Sequence, residues 1–461
     1  MPRGKLSQPS SPRSSLAIPP LTRRAVLGAG AAVAATLVTA TGEASANGGR
    51  AAYQGIGGAA APPSPGPRHI EFHAWRGQHL RKGSHDGTAV GRGGLVIDRA
   101  TGTRSYTDPY GDGTAVDYET ATWTSPVVTP PFPLTELIAS WNATTPDGTW
   151  LEVLVRGTAD DGTLTGWYVL GRWASDDPAD GGAIHRTSVG RQGTEHATVY
   201  VDTLATLNDH VLRDWQLRVV LLRRVGSAAT PAVTLVGAVA SNLPGDSTVA
   251  TSAPTGVVRT LDVPTLSQEV HIGHYPQWDN GGEAWCSPTS TSMVLGHWGV
   301  GPTAADLAWV DPPVDATVDF AARNVFDYRY DGAGNWPYNT AYAAEFGLEG
   351  FVTRLRSLAE AEAFVAAGIP LVASVSFAKG DMDGAGYGTN GHLLVIVGFA
   401  SNGDVVVNDP ASHLIPDNDE VRVTYRRDQF ENAWVPHSGG TVYVMRPPTV
   451  KLPKAPREAN W

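Results

Sequence analysis

At 461 residues the chain is too long for one ordinary hydrophobic core, so two domains with tails are expected. Charged residues are only 17%, against 52 glycines and 34 prolines, which argues against a coiled coil or helical bundle and for a loop-rich, β-rich protein. The formal net charge of −11, with no basic cluster in the mature chain, argues against a nucleic-acid partner.

Residues 1–46 read as a twin-arginine signal peptide. Thr22-Arg23-Arg24-Ala25-Val26-Leu27 opens an apolar run reaching about Ala40, and Ala44-Ser45-Ala46 offers a small-x-small cleavage site. The run is short and glycine-containing for a spanning helix, with an uncleaved anchor as the alternative. No second apolar run is long enough to cross a membrane, so a secreted protein without membrane contact after signal cleavage is expected. Residues 47–66, rich in Gly, Ala and Pro, form a flexible linker.

From 67 to 242 the texture is short strands between turn signals: 94–98, 134–142, 150–156, 166–173, 197–202, 215–225 and 233–240. Pro146-Asp147-Gly148 and Asp160-Asp161-Gly162 supply turn chemistry between them. Leu151, Val153 and Val155 alternate, as do Leu217, Val219 and Leu221. Together these predict an antiparallel β-sandwich of jelly-roll type. Seven tryptophans fall here: Trp75, Trp123, Trp141, Trp150, Trp167, Trp173 and Trp215. They either fill the core or stack on sugar rings, which makes a carbohydrate the alternative ligand of this half. Asp160, Asp161, Asp176 and Asp177 are turn aspartates before they are calcium ligands.

Residues 243–256 are a second linker. Beyond it helices are expected at 303–310, 314–326, 336–346 and 357–367, the last opening on the capping-box pattern Ser357-Leu358-Ala359-Glu360. Strands are expected at 369–377, 392–399, 405–408, 421–425 and 441–445. Helices first and an antiparallel sheet later give an α+β domain over 257–447, followed by a tail at 448–461.

Cys286 is the single cysteine of the chain and stands where a loop turns into a helix, with Pro288 in its first turn and Gly299 and Gly301 at its end. A thiol at a helix N-terminus meets unpaired N–H groups and the positive end of the macrodipole, which favour the thiolate. The competing reading is a buried structural cysteine. Export weighs against it, because a lone extracellular thiol forms no internal disulfide and is an oxidation liability.

A thiol nucleophile needs a base, an orienter for that base, and oxyanion donors. His392 heads the apolar run Leu393-Leu394-Val395-Ile396-Val397, and the next strand ends at Asn408-Asp409-Pro410. A hairpin through 400–403 returns Asp409 toward His392, with Asn408 as the alternative orienter. A two-residue turn at Asn402-Gly403 would set Asp409 opposite Ile396, so a looser turn or a bulge is required. For the oxyanion, the Cys286 N–H and the side chain of Gln268 are the candidates, with Gln277 as competitor. His271, His274 and His297 lack a clear acidic or thiol partner, and no metal or cofactor is expected. Asp381-Met382-Asp383-Gly384 lacks the downstream glutamate of a calcium loop and reads as a mobile loop beside the cleft.

The ordered set Val263-Pro264…Ser267-Gln268, Trp285-Cys286-Ser287-Pro288-Thr289-Ser290, Gly368-Ile369-Pro370-Leu371, Asn390-Gly391-His392 and Val407-Asn408-Asp409-Pro410 resembles the family-39 cysteine peptidases, the bacteriocin-processing, papain-like group. The resemblance spans the C-terminal domain only, with the N-terminal sandwich outside it. It implies a papain-like fold, Cys286 as nucleophile, His392 as base, Asp409 as orienter, Gln268 in the oxyanion hole, and a thioester acyl-enzyme. The expected partner is a peptide or protein substrate, or the peptide part of a cell wall. Two other functions stay open: a cell-surface or carbohydrate-binding protein with an inactive papain-like domain, and a transglutaminase-like acyl transferase.

Overall fold

The computed structural model describes residues 66–245 and 248–461, so the twin-arginine pattern and nearly all of the first linker lie outside the described residues. Among these, the N-terminal half forms two antiparallel sheets. One is built around Ala232–Asn242, which pairs with Glu136–Thr144 and His69–Arg76; the other around Leu212–Arg224, which pairs with Thr149–Ala159 and Ala115–Thr124. Leu217, Val219 and Leu221 face one shared core with Trp123, Trp141 and Trp173, as period-2 alternation requires. Trp75 of the first sheet meets Trp123 and Trp215 of the second edge-on, with ring centroids 5.5 and 5.9 Å apart. The intervening Val220 and Leu222 bury against Trp150 and Ile184 in a small second cluster. Of the seven tryptophans only Trp167 is half-exposed, and its ring lies between the Arg156 and Arg218 guanidinium groups. The others are spent on packing.

The C-terminal half is a seven-stranded sheet, ordered Glu349–Arg354, Thr441–Arg446, Leu371–Phe377, Thr389–Phe399, Val405–Asn408, Arg422–Tyr425, with Arg259–Thr260 pairing beside Thr389–Phe399. Five α-helices accompany it: α1 (Cys286–Trp298), α2 (Thr317–Val325), α3 (Trp336–Glu345), α4 (Leu358–Ala366) and α5 (Arg427–Ser438). No helix among the described residues is long and apolar enough to cross a membrane.

Several local expectations need correction. Residues 303–310 form capped turns, not a helix: Asp306 accepts from Thr303 N at 2.7 Å, and Pro312 blocks extension. Ser357 makes no side-chain cap on α4. Glu360 instead accepts from Arg356 N at 2.8 Å, while Glu431 of α5 accepts from Leu358 N at 2.7 Å and so caps α4 from outside. Helix α5 itself was not expected, because Pro436 sits inside it and its face is polar. Phe430, Ala433 and Trp434, spaced i, i+3, i+4 and buried, are the signal that identifies it.

The two halves share one hydrophobic core. Asn142 bonds the edge strand Glu349–Arg354 reciprocally, donating to Gly350 O at 2.7 Å and accepting from Gly350 N at 3.1 Å. Tyr338 of α3 donates to Arg172 O and packs on Trp141 and Trp173. The tail is docked: Asn460 is buried and donates to Arg354 O and Glu360, Phe72 N donates to Ala459 O, and the Trp461 ring lies 4.9 Å from Phe364.

Candidate active site

Cys286 is the first residue of α1 and half-buried. Behind it residues 287–295 are buried, and four of the helix's five hydroxyl residues are spent on neighbouring elements. Ser287 bonds the Tyr443 hydroxyl at 2.9 Å, Ser290 donates to Leu393 O at 3.0 Å, Thr291 to Asn339 at 3.1 Å and Ser292 to Thr317 O at 3.2 Å. Each such bond is worth about 1 kcal/mol and fixes the rotation of α1 on the sheet. The Ser290 bond lands on the residue after His392, so it also sets where the helix start meets the histidine strand.

His392 is buried; its Nε2 lies 2.7 Å from Asp409 Oδ1, and its ring hydrogen-bonds the Cys286 sulfur. With Nε2 engaged, Nδ1 is the nitrogen left for sulfur. The hairpin reaches this geometry by a different register from either expectation. Its loop runs through 400–404, and a bulge lies between Ile396 and Gly398, so Asn408 pairs with Val395. One step further, Asp409 comes level with Leu394, whose side chain shares a sheet face with His392 two residues away. Asn408 is turned elsewhere, donating to Pro264 O and accepting from Arg422.

Asp409 is fully buried and saturated with donors: Tyr387 and Tyr425 hydroxyls on Oδ2 at 2.8 and 2.7 Å, and Ala411 N on Oδ1 at 3.0 Å. Burial alone would raise its pKa, yet the His392 charge and these donors hold it below the ordinary carboxylate value. For His392, burial works downward, but the Asp409 charge and hydrogen bond, with the Cys286 contact, push it up to about 10. The protonated ring therefore stabilises the fold fully below its ordinary 6.5 and loses that contribution as pH rises through about 10. The Asp409 contribution is present above its ordinary 3.8 and fades in acid. In ring-labelled NMR, His392 is expected to titrate near pH 10; a midpoint near 6.5 would mean that the pair is not ionic.

Gln268 opens the single helical turn Gln268–His271 and is buried; its backbone N donates to Pro410 O at 2.9 Å, beside Asp409. Its side-chain Nε2 donates to Glu283 O at 2.8 Å, three residues before the cysteine. The long stretch between Gln268 and Cys286 folds back on itself through a bridge between Ile272 and Gly281. A Cβ on Gly282 would lie 2.4 Å from Gln268 O, so only glycine permits this approach. Gln277 is exposed. Glu269, also buried, has its pKa raised by burial and by Glu283. Sequence reasoning missed Tyr387, Tyr425 and Glu269, since nothing in their spacing links them to Asp409 or Gln268.

A cavity of about 210 Å³ opens beside the histidine strand, between Tyr200 and Thr203 of the N-terminal half and Trp336, Ser376, Asn390 and Gly391 of the C-terminal half. Its lining does not include Cys286.

The molecule is thus a β-rich α+β protein with a thiol, an imidazole and a carboxylate in one chain of contacts at a helix start. Residues 260–442 match the Peptidase_C39 like family, and residues 71–241 match the family described as the peptidase C39 N-terminal domain. Together they support the C39-like family and point to a cysteine peptidase. The second match corrects the restriction of the resemblance to the C-terminal domain. One solved structure, described as a C39-like peptidase from Bacillus anthracis, is similar at 20% identity over 43% of this chain and 98% of its own, with a TM-score of 0.27. No curated protein matches the chain.

Proposed function

We propose that the chain is an exported cysteine peptidase with a papain-like catalytic half, hydrolysing peptide bonds through Cys286, His392 and Asp409. The carrying observation is the contact of Cys286 with His392, backed by Asp409 at 2.7 Å, from three separated stretches. In this reading the thiolate attacks the acyl carbon, and the imidazolium gives its proton to the leaving amine. Water, deprotonated by His392, then cleaves the thioester and restores the pair. The twin-arginine pattern supports export, and the paired N-terminal sheets are read as an accessory sandwich.

The oxyanion is held by Cys286 N–H and by Gln268, whose amide carries a second N–H beyond the one given to Glu283. Gln268→Ala is expected to lower kcat on the order of 100- to 1000-fold with little change in KM. A loss under about tenfold would remove Gln268 from this role.

Iodoacetamide at neutral pH, followed by peptide mass spectrometry, tests the reading directly. Native protein is expected to be labelled at Cys286 faster than a model thiol, more slowly in His392→Ala, and to lose release of new amines from casein or cell-wall peptides in step with labelling. Labelling only after denaturation, or cleavage that persists in fully labelled protein, would overturn it.

A further inference from the structure

The loop that carries Gln268 contains a second cluster that peptide hydrolysis does not use. His271 Nδ1 lies 3.0 Å from Asp319 Oδ2, and His274 Nδ1 lies 3.0 Å from Asp319 Oδ1. One ligand atom from each of the three residues falls within 4.8 Å of the others. His271 and Asp319 are fully buried, while His274 is slightly exposed and offers a way in.

The His274 contact has hydrogen-bond geometry. The His271 contact does not: both ring nitrogens of His271, and Asp319 Oδ2, are buried without a hydrogen-bond partner among the described residues. Leaving such groups unsatisfied costs about 1–3 kcal/mol each. Donor atoms about 3.3 Å apart around a common centre are what a tetrahedral zinc site with bonds of about 2.0–2.1 Å requires. We propose that His271, His274 and Asp319 bind one zinc-type divalent cation, with water completing the shell on the His274 side. Two imidazoles and one carboxylate suit Zn²⁺ better than the all-oxygen cations Ca²⁺ and Mg²⁺.

The site would be structural. It ties the loop to the first turn of α2, three residues beyond Gln268, and the His271 ring lies 5.9 Å from that of Trp285, the neighbour of Cys286. The sequence offered the two histidines without an acid; Asp319, brought in by α2, supplies it. His297 is occupied elsewhere, within hydrogen-bonding distance of Asp262 O and Gly368 O.

The test uses tag-free chain carrying Cys286→Ala, so that the thiolate cannot bind the metal. After chelator treatment and removal of the chelator, it is titrated with Zn²⁺ by calorimetry, and bound metal is counted by elemental mass spectrometry. One Zn²⁺ per chain and a higher melting temperature are expected, with affinity lowered roughly a hundredfold or more in His274→Gln and in Asp319→Asn. His274→Gln changes the ligand nearest solvent and keeps the buried pair, and circular dichroism checks that each variant is folded. No stoichiometric uptake by the folded parent, or uptake unchanged in folded His274→Gln, would overturn the site and leave a His274–Asp319 hydrogen bond beside an unpartnered His271. Neither outcome bears on Cys286.

Discussion

Cys286→Ala is expected to lose peptide hydrolysis by on the order of 10⁶-fold in kcat, the scale seen when one member of a cooperating nucleophile–base pair is removed. The Ser287 and Ser290 hydroxyls that follow the sulfur are held by Tyr443 and Leu393 O and do not replace it, so what remains in the variant is binding and oxyanion stabilisation. Because nucleophile and base act as a unit, Cys286→Ala/His392→Ala is expected to be no worse than Cys286→Ala alone. The kinetics should be read beside casein binding, which is expected to persist. Turnover retained in Cys286→Ala would remove the proposed mechanism outright.

The second large effect is on stability. The stretch 249–255 is clamped between α4 and α5 by a buried charge network. Arg427 Nη1 lies 2.6 Å from Glu362 Oε1, Arg427 Nε donates to Ser252 O at 2.7 Å, and Glu362 Oε2 accepts from Thr255 N at 2.8 Å. Glu431 accepts from Ser252 N at 2.7 Å and from the Ser252 hydroxyl at 2.6 Å, closing the ring with its cap on Leu358. Arg427→Ala leaves the Glu362 carboxylate buried without its cation, and a loss of about 3–5 kcal/mol in chemical denaturation is expected. Arg427→Met/Glu362→Leu, which removes both charges and keeps volume, is expected to recover part of that loss. A loss below about 1 kcal/mol in Arg427→Ala would mean that water reaches the network.

Much of the C-terminal half was legible because its signals are local. Val405–Asn408 is bounded as its β-branched run and the following Asn-Asp-Pro dictate, and α1 begins at Cys286 and closes on Gly299 in the left-handed region. The candidate residues were legible as types in order, since a lone thiol, a histidine at a strand head and an aspartate at a strand end each carry a chemical expectation. What could not be read was tertiary. The place of the bulge decided the level of Asp409, Tyr387 arrives from the loop before Thr389–Phe399 and Tyr425 from the end of the strand Arg422–Tyr425, and Asp319 joins two histidines through helix packing. Helix α5 was hidden by Pro436, whose cost in the last turn is offset by burial of Phe430 and Trp434.

The docked tail has a kinetic consequence. Ile70 N donates to Glu458 across 388 positions, and Arg356 bridges to both Ile70 O and Glu458 O. Contacts of such span demand closure of nearly the entire polymer before they return any enthalpy, which slows assembly. The inner edge of His69–Arg76 pairs with Ala232–Asn242, but its outer edge stays unbonded until residues near 459 have been synthesised.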